Sequence, residues 1–417
     1  MSDRTYKHII WTGVVFLLAA LPVLRGAVRP WSVLPAMFLI TLLVFMWLWR
    51  ASNHEGYGFR RTSLDLPVVL FVLLAGLSIA FSVYRHDSIC AFLRLLCYAG
   101  VYYLIVNNFD RGMVKSLTLA IILTGAALSV YGLLQYAAVL PHPWWHPARF
   151  LSSTYVNHNH FSGYLEMVIP LAIGVLISRW RDEPVAGIVI GGALLAMSTA
   201  FVLAQSRGAW ISLAISLVVM AIALMTGGAL KKKSVFLVFF LILLVCAFIF
   251  IARPEVYQRL NTITGAETGE ASLETRIKIW QGAVRMINDK PLTGTGIGTF
   301  AWSFPAYRPP GMLVRAYFTH NDYLQVASEM GLPALAVMLW IFLAAVFSGF
   351  TKGDPVMTGC AAGVLSVAIH GIVDFNFHIP ANMLLCTVLI AIIMRGSLKK
   401  RSSSGSSGGG QDADLRS

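Results

Sequence analysis

The sequence predicts an all-α integral membrane protein of about twelve transmembrane helices. Three observations carry that reading. Hydrophobic residues make up 57% of the 417-residue chain and charged residues only 12%, with a mean hydropathy of +0.71, a balance that soluble domains of this length do not show. Apolar runs of roughly 17–25 residues, long enough to cross a bilayer core of about 30 Å, recur along the whole length. The basic residues gather in alternate short loops, as they do on the cytoplasmic side of a polytopic membrane protein.

The expected spans are 8–24, 31–49, 66–83, 89–106, 116–139, 161–178, 185–204, 209–226, 234–252, 332–350, 356–373 and 379–394. The first run ends in "RGAVRPW", without a small-residue cleavage site, so it reads as a span and not as a removed signal peptide. The loops "RASNHEGYGFRR", "DRGMVK", "SRWR", "KKK" and "TKGD", with "RGSLKKR" after the last span, are the basic ones. They place both termini in the cytoplasm. Most of the net charge of +13 is accounted for in this way, and no nucleic-acid partner is expected. Residues 1–394 read as one polytopic domain and 395–417 as a disordered Gly/Ser-rich cytoplasmic tail. Cys90, Cys97, Cys246, Cys360 and Cys386 all fall in apolar runs, with no CxxC pair. Cys90 and Cys97 are two helical turns apart, beyond disulfide reach.

This topology leaves two long connections outside, 140–160 and a large, partly helical one at 253–331 between the ninth and tenth spans. The residues that need a chemical explanation gather there. Arg207 in "AQSRGAW" lies between the seventh and eighth spans. A guanidinium at that depth calls for an anion or water, and Gly208 lets another group approach the backbone. Arg94 in "CAFLRLLCY" sits about two turns inside the fourth span. A snorkelling interfacial arginine is the alternative for both. In "SLETRIKIWQGAVRMIND", Ile277, Trp280, Val284 and Ile287 recur at helical spacing, and Arg276, Trp280 and Ala283 share a face, so a short amphipathic helix lying on the membrane is expected. "PLTGTGIGTF" imitates a dinucleotide fingerprint but lacks the final glycine and follows no buried strand. A tight glycine turn near an anionic ligand fits it better.

In "YFTHNDYLQVASEMGLPAL", Thr319 reads as an N-cap, Asp322 as a carboxylate facing the free N–H groups, and Gly331 as a stop. That puts His320 in the first turn of a helix of about eleven residues, where the dipole favours the neutral imidazole a general base requires. Asn321 and Asp322 are placed to orient that imidazole or an acceptor. In "VNHNH", His158 and His160, with His142 and His146, have no carboxylate or thiolate beside them, so no metal is expected. Asn159 and His160 are instead candidates for polar contact with a substrate. Trp144 and Trp145 read as interfacial anchors, with a sugar-stacking platform as the alternative. The "DFNFHIP" turn adds Asp374 and His378 as pocket-lining candidates.

Five segments together resemble the O-antigen ligase/polymerase superfamily of bacterial inner membranes: "STYVNHNHFSGYLEMVIPLAIG", "QSRGAW", "ETRIKIWQGAVRMINDKPLTGTGIGTF", "HNDYLQVASEMGLPAL" and "DFNFHIPAN". The likeness covers roughly residues 150–382 in order; the first five spans resemble the family only in pattern. It implies a GT-C-like membrane glycosyltransferase that needs no metal and no cofactor. Its donor would be an undecaprenyl-diphosphate-linked glycan and its acceptor the lipid A core or another glycan, met among membrane lipids with the active site facing the periplasm. By motif, Arg207 and Arg276 match the family's diphosphate-binding arginines and His320 its essential histidine. A polymerase and a protein O-oligosaccharyltransferase share the motifs. A polysaccharide flippase is the reading from another class, although its polar residues would be expected near mid-membrane.

Overall fold

The computed structural model describes residues 2–53, 58–141, 150–180, 182–228, 273–312, 315–351 and 353–398. The expected ninth span, Cys246, His142, His146, Trp144, Trp145 and residues 399–417 lie outside them. Among the described residues the chain is all-helical. The long helices are α1 (Asp3–Val23), α2 (Pro30–Asn53), α3 (Asp65–Ala80), α4 (Arg85–Asn108), α5 (Arg111–Tyr136), α6 (His158–Arg179), α7 (Pro184–Leu203) and α8 (Arg207–Thr226). They continue with α9 (Leu273–Asp289), the single turn α10 (Phe300–Ser303), α11 (Asp322–Phe350), α12 (Pro355–His370) and α13 (Pro380–Ser397). Nine of these are long and apolar enough to cross a membrane, and α3 and α12 are shorter apolar helices. Together they coincide with every expected span that falls within the described residues.

Burial sorts the helices by role. Every residue of α6 from His158 to Val175 is buried, and α13 is buried from Pro380 to Met394 except at Met383. Helices apolar all round belong in an interior. The outer helices instead expose large apolar side chains such as Phe16, Phe38, Phe45, Leu73, Ile188 and Phe347. A hydrocarbon-facing surface has that composition, and helices satisfy their own backbone groups there.

The central contact is α6 against α12, and glycine makes it possible. A Cβ on Gly359 would lie 2.5 Å from Pro170 O, one on Gly363 2.6 Å from Met167 O, and one on Gly174 2.2 Å from Pro355 O. Gly359 and Gly363 are four residues apart on one face of α12, so the two backbones meet directly, the close packing that small residues allow between membrane helices. Because α6 and α12 are locked together, Glu166 in α6 and His370 at the end of α12 face one another.

Overpacking a helix contact of this kind typically costs about 1–3 kcal/mol. Gly359→Ala should therefore lower the thermal midpoint of the detergent-purified protein, whereas Gly191→Ala on α7, where an added Cβ meets nothing within 4 Å, should leave it unchanged. Equal midpoints for the two variants would mean that α6 and α12 do not pack backbone to backbone.

Candidate active site

The beginnings of α6, α8, α11 and α13 and the end of α12 meet at one end of the bundle, around the turn 371–379. Asp374 in that turn is only 2% exposed. Its Oδ1 lies 3.9 Å from His160 Nε2 and 3.9 Å from His320 Nδ1, and its Oδ2 lies 4.0 Å from His370 Nε2. The Phe375 N–H donates to Oδ1 at 2.8 Å. Burial pushes the Asp374 carboxyl up, but His160, His370, Arg276 and His320 together bring it below its ordinary value of 3.8. Phe375 stands between two of the imidazoles, edge-on to His160 and to His320 with ring centroids 4.7 and 4.8 Å away, and stacks on Phe318.

A second carboxylate, Asp322, is fully buried and faces the same turn. It accepts from the Phe377 N–H at 3.2 Å and meets His378 Nδ1 at 2.9 Å, so it does not cap its own helix as the sequence implied. Burial pushes the His378 imidazole down, but the hydrogen bond and charge of Asp322 raise it above its ordinary 6.5. Arg94 of α4 contributes a positive charge felt at His378, and its buried Nε has no hydrogen-bond partner among the described residues.

The helix carrying the opening motif begins two residues later than expected. Asn321, not Thr319, is the cap, with its Oδ1 accepting from the Tyr323 and Leu324 N–H groups at 3.0 and 2.9 Å. Thr319 Oγ1 turns to Asn321 O instead. His320 therefore sits just outside the first turn, half-buried, at φ 53°. A left-handed histidine is uncommon and is kept only where its surroundings over-determine it. Here they do. Gln325 Oε1 accepts from the Thr319 N–H at 2.7 Å, Gln325 Nε2 donates to Glu329 at 2.8 Å, and Trp280 Nε1 donates to Thr319 O at 3.0 Å. Gly331, at φ 83°, breaks the helical path within α11 at the position where the sequence signals a stop.

The glycine turn does cradle an anion, but that anion is part of the protein. Gly298 and Phe300 donate their N–H groups to the Glu329 carboxylate at 2.7 and 2.9 Å. Gly294 packs so closely on this helix that a Cβ would lie 2.2 Å from Glu329 C. The Gly298 and Phe300 N–H groups are accordingly taken up by Glu329.

Helix α9 also buries a second face, against the protein. Its buried residues are Ile279, Gly282, Ala283, Met286 and Ile287, packed on Phe300, Phe304, Met312 and Ala316. Ile277 and Val284 are exposed. A soluble-type core behind the helix, invisible to a helical-period count, sets the buried side. The shared face of Arg276 and Trp280 is nonetheless used: Arg276 Nη1 donates to Val373 O at 2.8 Å, one turn from the Trp280 bond to the His320 loop. The buried Nε of Arg276 has no hydrogen-bond partner among the described residues.

Arg207 is the first residue of α8, after the cap Ser206 and the left-handed Gln205 (φ 58°), the same order of left-handed residue, cap and helix start as at His320. Gly208 packs against the turn: a Cβ there would lie 2.9 Å from the His370 ring and from Val373 Cγ2. Val373 thus touches both Gly208 and Arg276. Asn159 is buried near the start of α6, where its N–H is held by the cap Asn157 at 2.7 Å.

Four participants went unflagged in the sequence. Glu166 is fully buried in α6 and meets His370 Nδ1 at 2.9 Å. Asn382 Nδ2 donates to His160 O at 2.8 Å and to Asn376 Oδ1 at 3.0 Å. A lone carboxylate in an apolar span was signal enough for Glu166; the two asparagines offered none. Among the described residues no group of three or more His, Cys, Asp and Glu side chains is arranged to hold a metal ion.

Residues 192–339 match the family model described as O-antigen ligase. Over that stretch the chain is similar to the O-antigen ligase family. The matched stretch runs from α7 into α11 and includes Arg207, Arg276, His320, Asn321 and Asp322. Arg94, Asn159, His160, Asp374 and His378 lie outside it; of these, Asp374 approaches His320 and His378 meets Asp322 within it. No curated protein matches the chain. The match supports glycosyl transfer of the O-antigen ligase/polymerase type.

A histidine whose folded pKa is raised contributes stability that is fully present below its unfolded value and is lost as pH rises through the folded one. His378, raised above 6.5, should therefore make the thermal midpoint fall as pH climbs past that value. His378→Gln should flatten this slope. A variant with the wild-type slope would assign it to another group.

Proposed function

We propose that this protein transfers a glycan from an undecaprenyl-diphosphate-linked donor to an acceptor hydroxyl at the periplasmic face of the bacterial inner membrane. The acceptor we favour is the lipid A core, and both termini lie in the cytoplasm. The observation that carries the reading is the convergence of Arg276, His320 and, through Gly208, the start of α8 with Arg207 on one turn beside Asp374. Guanidinium groups hold phosphate oxygens by charge-assisted, bidentate bonds. Arg207 and Arg276 grip the diphosphate and stabilise the charge that grows on it as the bond to the sugar breaks, a role that needs no divalent cation. His320 takes the proton from the acceptor oxygen as that oxygen attacks the anomeric carbon, and a single displacement inverts that carbon. Asp374 holds the resulting imidazolium. Arg94, His378, Asp322, Asn321, Asn159 and His160 line the surroundings in which donor and acceptor meet.

A polymerase or a protein O-oligosaccharyltransferase would use the same groups, and only the acceptor separates them. The position of the cluster at one end of the bundle speaks against a flippase, whose polar site belongs near the midplane.

The test is reconstitution of the purified protein with lipid-linked donor and a panel of lipid A core, lipid-linked glycan and protein acceptors. Transfer should survive exhaustive EDTA treatment. His320→Ala should lower it by about 10²–10⁴-fold, the usual contribution of a general base, while donor binding persists. Arg207→Lys should be nearly as damaging as Arg207→Ala, because lysine keeps the charge but loses the planar fork. A strict divalent requirement, or near wild-type transfer by His320→Ala, would overturn the mechanism.

A further inference from the structure

The buried Glu166 lies beyond the groups that the proposed reaction uses. It sits in the third turn of α6, inside a span, with no exposure to solvent. Its two oxygens are both engaged: Oε2 accepts from Ser366 Oγ at 3.1 Å and Oε1 lies 2.9 Å from His370 Nδ1. The opposite nitrogen of that ring, Nε2, lies 4.0 Å from Asp374 Oδ2, and the other Asp374 oxygen lies 3.9 Å from His320 Nδ1. A carboxylate in the interior of a span is expensive to keep and usually marks function. Here one stands behind an imidazole that faces the carboxylate nearest the proposed base.

We propose that Glu166 is a positioning residue that holds His370 as an imidazolium, which in turn keeps Asp374 ionised and His320 neutral and ready to accept a proton. This rests on the reading of His320 as the base. In the reaction the acceptor O–H bond breaks and its proton moves to His320, while the acceptor oxygen bonds to the anomeric carbon and the lipid diphosphate leaves with the electron pair of the broken bond. His320 then returns the proton to water. Glu166 and His370 exchange no proton in this step. They set the charge that His320 meets.

The charged and titratable groups around His370 among the described residues are Glu166 and His160 from α6, Asp374 and His320 from the adjoining turns, and Arg276 from α9. Three of these are cationic or can become so, and the two carboxylates face opposite ring nitrogens. Nδ1 has Glu166 at 2.9 Å and the Asn376 amide nitrogen at 3.1 Å. An N–H at Nδ1 donates to the carboxylate, whereas a bare Nδ1 accepts from the amide. Asn376 is held in that orientation by Asn382, which donates to its Oδ1 at 3.0 Å. The proposal is that the carboxylate prevails.

The sign of the pH effect follows. An imidazolium at 370 repels a proton from His320. Replacing Glu166 by glutamine removes the anion that stabilises it, so His370 becomes neutral, Asp374 loses a neighbouring cation, and His320 gains affinity for a proton. The acid limb of the transfer rate should move to higher pH, by about one unit for a charge lost at this range.

Two measurements test this on the full-length protein in detergent or nanodiscs. The first is NMR of histidine-labelled protein, read between pH 6 and 9 in the wild type and in Glu166→Gln. His370 should be an imidazolium across neutral pH in the wild type and a neutral ring in the variant. The second is the pH profile of transfer, in which the variant's acid limb should shift upward and kcat should fall more than donor KM rises. A neutral His370 in the wild type overturns the proposal even if Glu166→Gln does not fold. A folded variant with an unmoved profile also overturns it and leaves Glu166 with a packing role. If the wild type shows no transfer but the His370 charge state depends on Glu166, the relay stands and the transferase reading fails.

Discussion

Asp374 is a carboxylate taken out of water at the point where five segments of the chain meet. Removing an ionised group from solvent costs several kcal/mol unless partners replace the lost hydration. His160, His370, His320 and Arg276 surround it and hold its carboxyl below the ordinary value, and each comes from a different element: α6, α12, the loop before α11, and α9. The requirement to satisfy one buried anion therefore ties the membrane bundle to the segment outside it.

The rest of the site follows from how rigidly those elements are held. Direct backbone contact between α6 and α12 leaves no slack between Glu166 and His370. The loop bearing His320 is pinned from two sides, by Gln325 and Glu329 on its own helix and by Trp280 on α9. Glu329 is itself clasped by the glycine turn. Since Arg276 and Trp280 are one turn apart on α9, a movement of that helix would displace the arginine proposed to grip the diphosphate and the proposed base together. Backbone strain at His320 is kept because every neighbour of that residue is bonded.

Much of this was legible in the sequence. Hydropathy located each span within the described residues, because bilayer burial imposes a length that composition reveals directly. Arg207, Arg276, His320 and Asp374 stood out because polar groups at the edge of apolar runs need a reason. What failed depended on tertiary partners. Thr319 looked like a cap, but its hydroxyl turns to Asn321 O. Glu166 and His370 are 204 residues apart, and only the α6–α12 contact makes them a pair.

The account depends most on Asp374 serving as the shared anion of the site, and the isosteric variant Asp374→Asn measures that directly. Transfer and thermal midpoint are read on the same purified protein. We expect transfer to fall by about two orders of magnitude or more, as when a group that orients and balances a catalytic base is neutralised, with a lowered midpoint as three imidazoles and Arg276 lose their common partner. Near wild-type transfer with an unchanged midpoint would contradict the claim that this carboxylate organises the site.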